Sequence, residues 1–224
     1  MQSPEKTRVS AKHCDSLFDS KCTRCPRLAD FLRDGKKEYP NYHCKPVAPF
    51  GDSNARLIIV GLAPGFHGAN ATGRPFTGDY AGILLYETLH KFGFANAAQS
   101  VSRDDGLVLT NARITNAVKC VPPQNKPLPV EISTCNTFLK NELAALSAPS
   151  VLIALGTIAH KAILRVFELR LAEFKFAHGA EYGLPNGHVL IDSYHCSRYN
   201  TNTRRLTESM FHQVFKQAAQ HLQS

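Results

Sequence analysis

The sequence predicts an α/β fold of three layers, with a four-stranded parallel sheet between two sets of helices. Three observations carry this. Short apolar runs end in turn residues, as fully buried strands do. Stretches with helical spacing of apolar residues follow them. The two alternate four times, with no internal repeat and no low-complexity tract.

Leu57-Ile58-Ile59-Val60 is the first strand and stops at Gly61. The Gly/Pro-rich stretch 61–79 reads as a long loop without regular structure. From Tyr80 to Phe92, Ile83, Leu84, Tyr86 and Leu89 recur at helical spacing. Arg113 to Val118 is the second strand. Pro122, Pro123, Pro127 and Pro129 stiffen the connection to a helix over 130–146. Val151 to Leu155 is the third strand, and Gly156-Thr157 opens a helix over 157–168. His188 to Asp192 is the fourth, and the last helix covers about 205–222. Ligands of such sheets bind at the carboxyl ends of the strands, so the chemistry is expected in 61–79, 116–127, 156–160 and 193–205.

The 224 residues suffice for one domain with a sizeable core. Residues 1–21 read as a basic lead-in and 22–224 as a single domain. No apolar run reaches the ~18 residues of a membrane span, and the first 30 residues hold no signal-peptide stretch. A monomeric cytoplasmic protein with no membrane contact is expected. The net charge of +8 is uneven. Residues 1–50 carry ten basic and six acidic side chains, 160–224 carry eight and five, and the middle is nearly balanced at eight and seven. A basic shell suits a polyanion, since each Lys or Arg near a phosphate releases counterions; it also serves solubility alone.

Seven cysteines cannot all pair, and in an intracellular chain clustered Cys points to metal. Cys22-x-x-Cys25 is a chelating pair, while Cys120 and Cys135 are separated by fourteen residues. Four thiolates enclose a zinc ion or an iron–sulfur cluster. The second pair is too wide for a zinc knuckle, and Pro26 directly after Cys25 matches the Cys-Pro ending of some cluster motifs. Packing as buried free thiols is the plainer reading. Cys14 and Cys44 flank the knuckle as rival ligands, and Cys196 is left over.

The stretch GLAPGFHGANATGRPFTGD, 61–79, has the glycines for close backbone approach to a ligand but no Gly-Lys-Ser/Thr ending of a phosphate-binding Walker loop. Phe76, between Pro75 and Thr77, either stacks on a planar base or plugs the core beneath the loop. Asp79 is a catalytic carboxylate or, more simply, the N-cap of the next helix. Ser193-Tyr-His-Cys-Ser-Arg-Tyr-Asn200 places His195 at the active end of the sheet. Arg198, Arg204 and Arg205 stand there among hydroxyl and amide side chains with no acid nearby, a mixture that grips a phosphodiester backbone. Asn116, at the end of the second strand, offers donor and acceptor together, enough to read one edge of a base.

The loop 61–79, the segment ITNAVKCVPPQNKPLP followed by Cys135, and YHCSRYNTNTRRLT resemble the iron–sulfur branch of the uracil-DNA glycosylase superfamily, and most closely its type B, or family 5, enzymes. The resemblance runs from Cys22 to about Leu206. It implies a structural 4Fe–4S cluster held by Cys22, Cys25, Cys120 and Cys135, which removes Cys14 and Cys44 from contention. It implies that Phe76 stacks on the extruded base, that Asn116 meets the base edge, and that His195 stabilises negative charge on the leaving base. Gly61, Ala63, His67 and Asn70 are assigned with them to base binding, and Arg74, Ser197, Arg198, Asn200, Arg204 and Arg205 to DNA binding. Other branches carry Glu or Asp where this chain has Leu62 and Ala63, and in the type B branch Asp79 is proposed to share the task of activating water. Asp79, Asn116 and His195 are thus the expected catalytic set.

Two positions depart from the family pattern. His195-Cys196-Ser197 stands where His-Pro-Ser is usual, and Arg204 stands where Gly is usual. The implied activity is hydrolysis of the N-glycosidic bond of uracil in DNA, leaving an abasic site for base excision repair. Hypoxanthine and xanthine are further expected substrates, and the nucleoid of a prokaryote is the expected place of action. Lys119 and Lys126 are the lysines of the motif loops, and nothing assigns either to a Schiff base, so the enzyme is expected to be monofunctional. The alternatives are a type A, uracil-restricted glycosylase and a non-catalytic iron–sulfur nucleic-acid-binding protein.

Overall fold

The computed structural model describes residues 18–146 and 149–223. Most of the basic lead-in, with Cys14, lies outside the described residues. The first element is helix α1 (Pro26–Glu38), which has Pro at its first position and Lys36 and Lys37 in its last turn. Pro there gives up no needed N–H, and the lysines meet the negative end of the helix dipole. The chain continues through β1 (Phe50–Gly51), β2 (Leu57–Gly61), α2 (Ala69–Thr72), α3 (Tyr80–Lys91) and β3 (Ala112–Asn116). It then forms α4 (Pro129–Ala144), β4 (Val151–Leu155), α5 (Thr157–Val166), β5 (Glu181–Gly183), β6 (Val189–Ser193), α6 (Arg198–Asn202) and α7 (Glu208–Gln223).

The sheet has six strands in the order β1-β3-β2-β4-β6-β5. The four expected parallel strands are its centre. The expectation of four is corrected by two short antiparallel edges, β1 on β3 and β5 on β6. Two or three residues, partly exposed at an edge, carry no apolar run by which to recognise them. The loop 61–79 is likewise not wholly irregular, since Ala69–Thr72 closes one helical turn ended by Gly73 in the left-handed region.

The pleat divides the central strands between two cores. Leu57, Ile59, Ile114, Ile153 and Ile191 pack with Leu85, Tyr86 and Leu89 of α3 and Phe211, Val214 and Phe215 of α7. On the opposite face Ile58, Val60, Leu152, Ala154 and Leu190 meet Leu139 and Leu143 of α4 and Ala162 and Ile163 of α5. Both faces are covered, as a parallel sheet requires. A third cluster joins Leu28 and Leu32 of α1 to Val118, Val121, Ile132 and Phe138. It carries α1 to one side of the carboxyl ends of β2 and β3.

Candidate active site

Those carboxyl ends open into a cavity of about 350 Å³. Gly61 and Asn116 are register partners on neighbouring strands. A Cβ on Gly61 would lie 2.4 Å from Asn116 Oδ1 and 2.7 Å from the Phe76 ring, so only glycine fits. Asn116 is buried, and its Oδ1 has no hydrogen-bond partner. Leaving a buried amide oxygen unpaired costs about 1–3 kcal/mol, which a ligand N–H would recover.

The core-plug reading of Phe76 holds, and its ring also reaches the candidate site. It is buried in the core cluster and lines the cavity. Its φ of 57° is rare for a bulky side chain, and the loop around it is clamped. Tyr86 Oη donates to Pro75 O at 2.7 Å, and Thr77 Oγ1 lies 2.6 Å from Ser100 Oγ. The Phe76 ring lies 5.9 Å from that of His195, with 25° between their planes.

His195 follows β6, and Asn200 Nδ2 donates to its carbonyl at 2.8 Å. Its ring nitrogens have no hydrogen-bond partner among the described residues. Burial lowers its pKa to about 4, so the ring is neutral at physiological pH and offers one N–H donor. Ser197 caps α6 by accepting from Asn200 N. Arg198 lies 4.9 Å over the Tyr80 ring at the cavity mouth, and Arg205 lies 4.7 Å over Tyr194. Arg204 is exposed with φ of 57°, the conformation in which glycine carries no penalty. Cys196, in the other unusual position, is fully buried and packs as a small hydrophobe.

Asp79 occupies the N-cap position of α3, but its side chain makes no capping bond there. Its Oδ2 accepts instead from Ala69 N at 3.2 Å. A Cβ on Gly68 would fall 1.9 Å from its Oδ1, so that glycine admits the carboxylate. Burial raises the Asp79 pKa, against the backbone N–H groups of Ala69 and Gly65. The simpler expectation of a helix cap is therefore corrected, and the carboxylate lines the cavity.

Three expected contacts do not reach the cavity. Arg74 is buried, forks between Asp105 Oδ1 at 2.7 Å and Ser100 Oγ at 3.0 Å, and lies over Phe50. It locks segment 100–105 to the loop and presents no charge to DNA. His67 is exposed beside Tyr39, Tyr42 and Phe66, with Tyr42 Oη 2.9 Å from its Nδ1. Asn70 is fully buried under the loop, donating to Phe66 O and Cys44 Sγ. Each belongs to the right loop, but on its far side. Ala63 does line the cavity, with Leu62.

Sequence reasoning missed Tyr80 and Asn125, both at the cavity. Tyr80 is a large ring left 39% exposed at a helix start. Asn125 has φ of 57°, which Asn tolerates better than most residues, and it follows the strand whose carboxyl end was expected to carry chemistry. Another cavity of similar volume lies at the amino ends of the strands. Its Lys140 is paired with Glu168 and its His188 accepts from Ser150 N, so it offers no converging free groups.

Beside the cavity Cys22, Cys25, Cys120 and Cys135 line one small recess. No disulfide joins any of the four among the described residues. Cys135 Sγ accepts from Lys119 N at 3.2 Å. Arg27 forks onto both oxygens of Glu131 at 2.7 Å and ties α1 to α4 across the recess. Burial raises the Cys120 thiol, and the charges of Cys135, Cys22 and Cys25 raise it further. Among the described residues no group of three or more His, Cys, Asp or Glu closes on a single-ion position.

Residues 48–222 match the family model of the Uracil DNA glycosylase superfamily. A relative named type-5 uracil-DNA glycosylase, from Thermus thermophilus, is 46% identical over 88% of this chain and 92% of its own. Another of that name, from Pyrobaculum aerophilum, is 42% identical over 88% of each chain. A type-4 uracil-DNA glycosylase from Archaeoglobus fulgidus is 34% identical over 61% of each. The chain belongs to the uracil-DNA glycosylase superfamily.

Proposed function

We propose that this protein is a monofunctional DNA glycosylase that hydrolyses the N-glycosidic bond of uracil in DNA and leaves an abasic site for base excision repair. The observation that carries this is the convergence of Phe76, the unpaired Asn116 amide and the neutral His195 on one cavity. A planar base has a ring face to stack on, an amide to meet its edge and an N–H to receive the charge that develops as it leaves. The base must first be extruded from the duplex, at a cost of about a few kcal/mol repaid by the pocket.

As the glycosidic bond lengthens, the sugar becomes cation-like and the base takes the electron pair. The neutral imidazole of His195 then strengthens its hydrogen bond to the base oxygen, a contribution made chiefly in the transition state. The Asp79 carboxylate lies across the cavity and orients the attacking water toward the sugar. No lysine lines the cavity among the described residues, and Lys119 is buried in an ion pair with Glu142 at 2.7 Å. That supports hydrolysis without a Schiff base. The Asn116 amide, donor and acceptor at once, also suits the edges of hypoxanthine and xanthine.

The four thiols fit an iron–sulfur cluster. They share one recess, the charges of the other three raise the Cys120 thiol, and Cys135 receives a backbone N–H, an arrangement that a cationic centre relieves. Cys22, Cys25, Cys120 and Cys135 would hold a 4Fe–4S group, which supplies a structural tie between α1, the segment after β3 and α4. The site is complete within one chain, which supports action as a monomer from a single domain over 22–224, at the nucleoid to which its substrate confines it.

The test is a labelled oligonucleotide carrying uracil, hypoxanthine or xanthine, cleaved by alkali after incubation. Strand scission at uracil is expected, and absence of release from all three refutes the function. Asp79→Asn should lower uracil release about 100-fold and abolish the acid limb of the pH profile. That limb lies above the ordinary carboxylate range because burial raises the Asp79 pKa. Full activity in this variant removes Asp79 from the reaction.

A further inference from the structure

Beyond the wall formed by Tyr80 and Arg198, a groove of about 500 Å³ runs on from the cavity, sharing Phe76 and Asp79 with it. Its lining sets polar groups beside large apolar side chains left open to solvent. Tyr80 is 39% exposed, Ile83 55% and Val101 70%, and all three line the groove.

The groove is also rigid. Val101 N donates to Asp105 Oδ2 at 2.8 Å, and Ser100 Oγ bonds both Thr77 Oγ1 and the buried Arg74. This gives the ion pair of the buried Arg74 with Asp105 a purpose, since it ties segment 100–105 to the loop that precedes α3. At the divide Arg198 has no carboxylate partner among the described residues. Its guanidinium, stacked on Tyr80, faces both compartments.

We propose that this groove is the subsite for the nucleobase adjacent to the extruded nucleotide on the same strand, with Arg198 binding the intervening phosphate. The proposal rests on the glycosylase reading. Three features favour a nucleobase: an apolar stacking surface, a lone cation at its boundary with the cavity, and the Gln99 amide along its edge. Apolar contact with a base does not depend on its identity, so the subsite grips any sequence. It also explains how an enzyme of this shape keeps an unstacked neighbour in place once the target base has left the helix.

The experiment compares three single-stranded oligonucleotides. One has normal bases on both sides of uracil; the others have an abasic analogue immediately 5′ or immediately 3′. Wild-type kcat/KM should fall about tenfold for one of the two gapped substrates, within the range of a single base stack. The Ile83→Ser/Val101→Ser double variant changes two exposed side chains outside the cavity. It should be about tenfold slower than wild type on the intact substrate and insensitive to either gap, with an unchanged Tm. Ile83→Leu should keep the wild-type pattern. Equal wild-type rates on all three substrates overturn the subsite and leave the glycosylase reading standing. A double variant with wild-type gap dependence also overturns it. Absence of release from any substrate overturns the glycosylase reading, and the subsite falls with it.

Discussion

The base cavity and the cysteine recess are neighbours built in opposite ways. In the cavity the protein prepares neutral or singly charged groups and holds each through its backbone. Asn200 fixes the His195 carbonyl, Ala69 N–H meets Asp79, and Gly61 admits Asn116. In the recess four thiols line one small space, and ionising Cys120 or Cys135 is opposed by burial and by neighbouring thiols. The cavity is ready for a neutral, planar guest. The recess is stable as thiolates only around positive charge. Preorganisation in the first is a matter of hydrogen bonds, and in the second it would need an added ion.

The sharpest way to break this contrast is to weaken the recess alone. Cys120→Ser is expected to lower Tm by about 10 °C, as loss of a folding-coupled metal group does. Purified wild-type protein should contain iron and inorganic sulfide. A drop of only a degree or two would reduce Cys120 to a packed thiol. On the cavity side, His195→Ala should lower uracil release about 10²–10³-fold with little change in Tm. The wild-type ring should titrate by NMR with a midpoint of about 4. Because this folded-state value lies below the unfolded one, its contribution to stability is present above about pH 6.5 and is lost as pH falls toward the folded pKa.

Smaller effects test the frame between the two regions. Arg74→Leu removes the bonds of a buried guanidinium, while Asp105 keeps three backbone N–H groups, and should cost about 1–2 kcal/mol in denaturant unfolding. The salt dependence of DNA binding should not change, because the guanidinium faces no phosphate; a reduced salt slope would restore it as a DNA contact. Arg204→Gly removes a left-handed strain of about 1 kcal/mol and should stabilise the fold while weakening DNA binding slightly, measured by anisotropy.

Much of the site was readable because its residues follow strands whose patterns are plain. Asn116 and His195 follow from the carboxyl-end rule alone, since each stands at or just after the end of a parallel strand. Phe76 and Asp79 were chosen by position, but their tasks were not legible. The same Pro-Phe-Thr sequence serves a core plug or a stacking ring, and here the ring packs in the core and borders the cavity. Arg74, His67 and Asn70 sit in the same loop as these and face away from the cavity. A loop has no period, so which side each residue faces depends on where distant partners such as Asp105, Tyr42 and Cys44 come to lie.

The sequence by itself determined the parallel centre of the sheet, the family, and the end of the sheet where the candidate site lies. These follow from local pattern and from motifs of fixed spacing. Only the tertiary structure decided which loop residues reach the cavity, that Arg74 is a clamp, that Asp79 is not a cap, and that Tyr80 and Arg198 divide two compartments. These depend on contacts between residues ten to more than a hundred positions apart, such as Thr201 with Tyr80 and Arg74 with Asp105. Spacing along the chain carries no record of such contacts until the strands have brought the loops together.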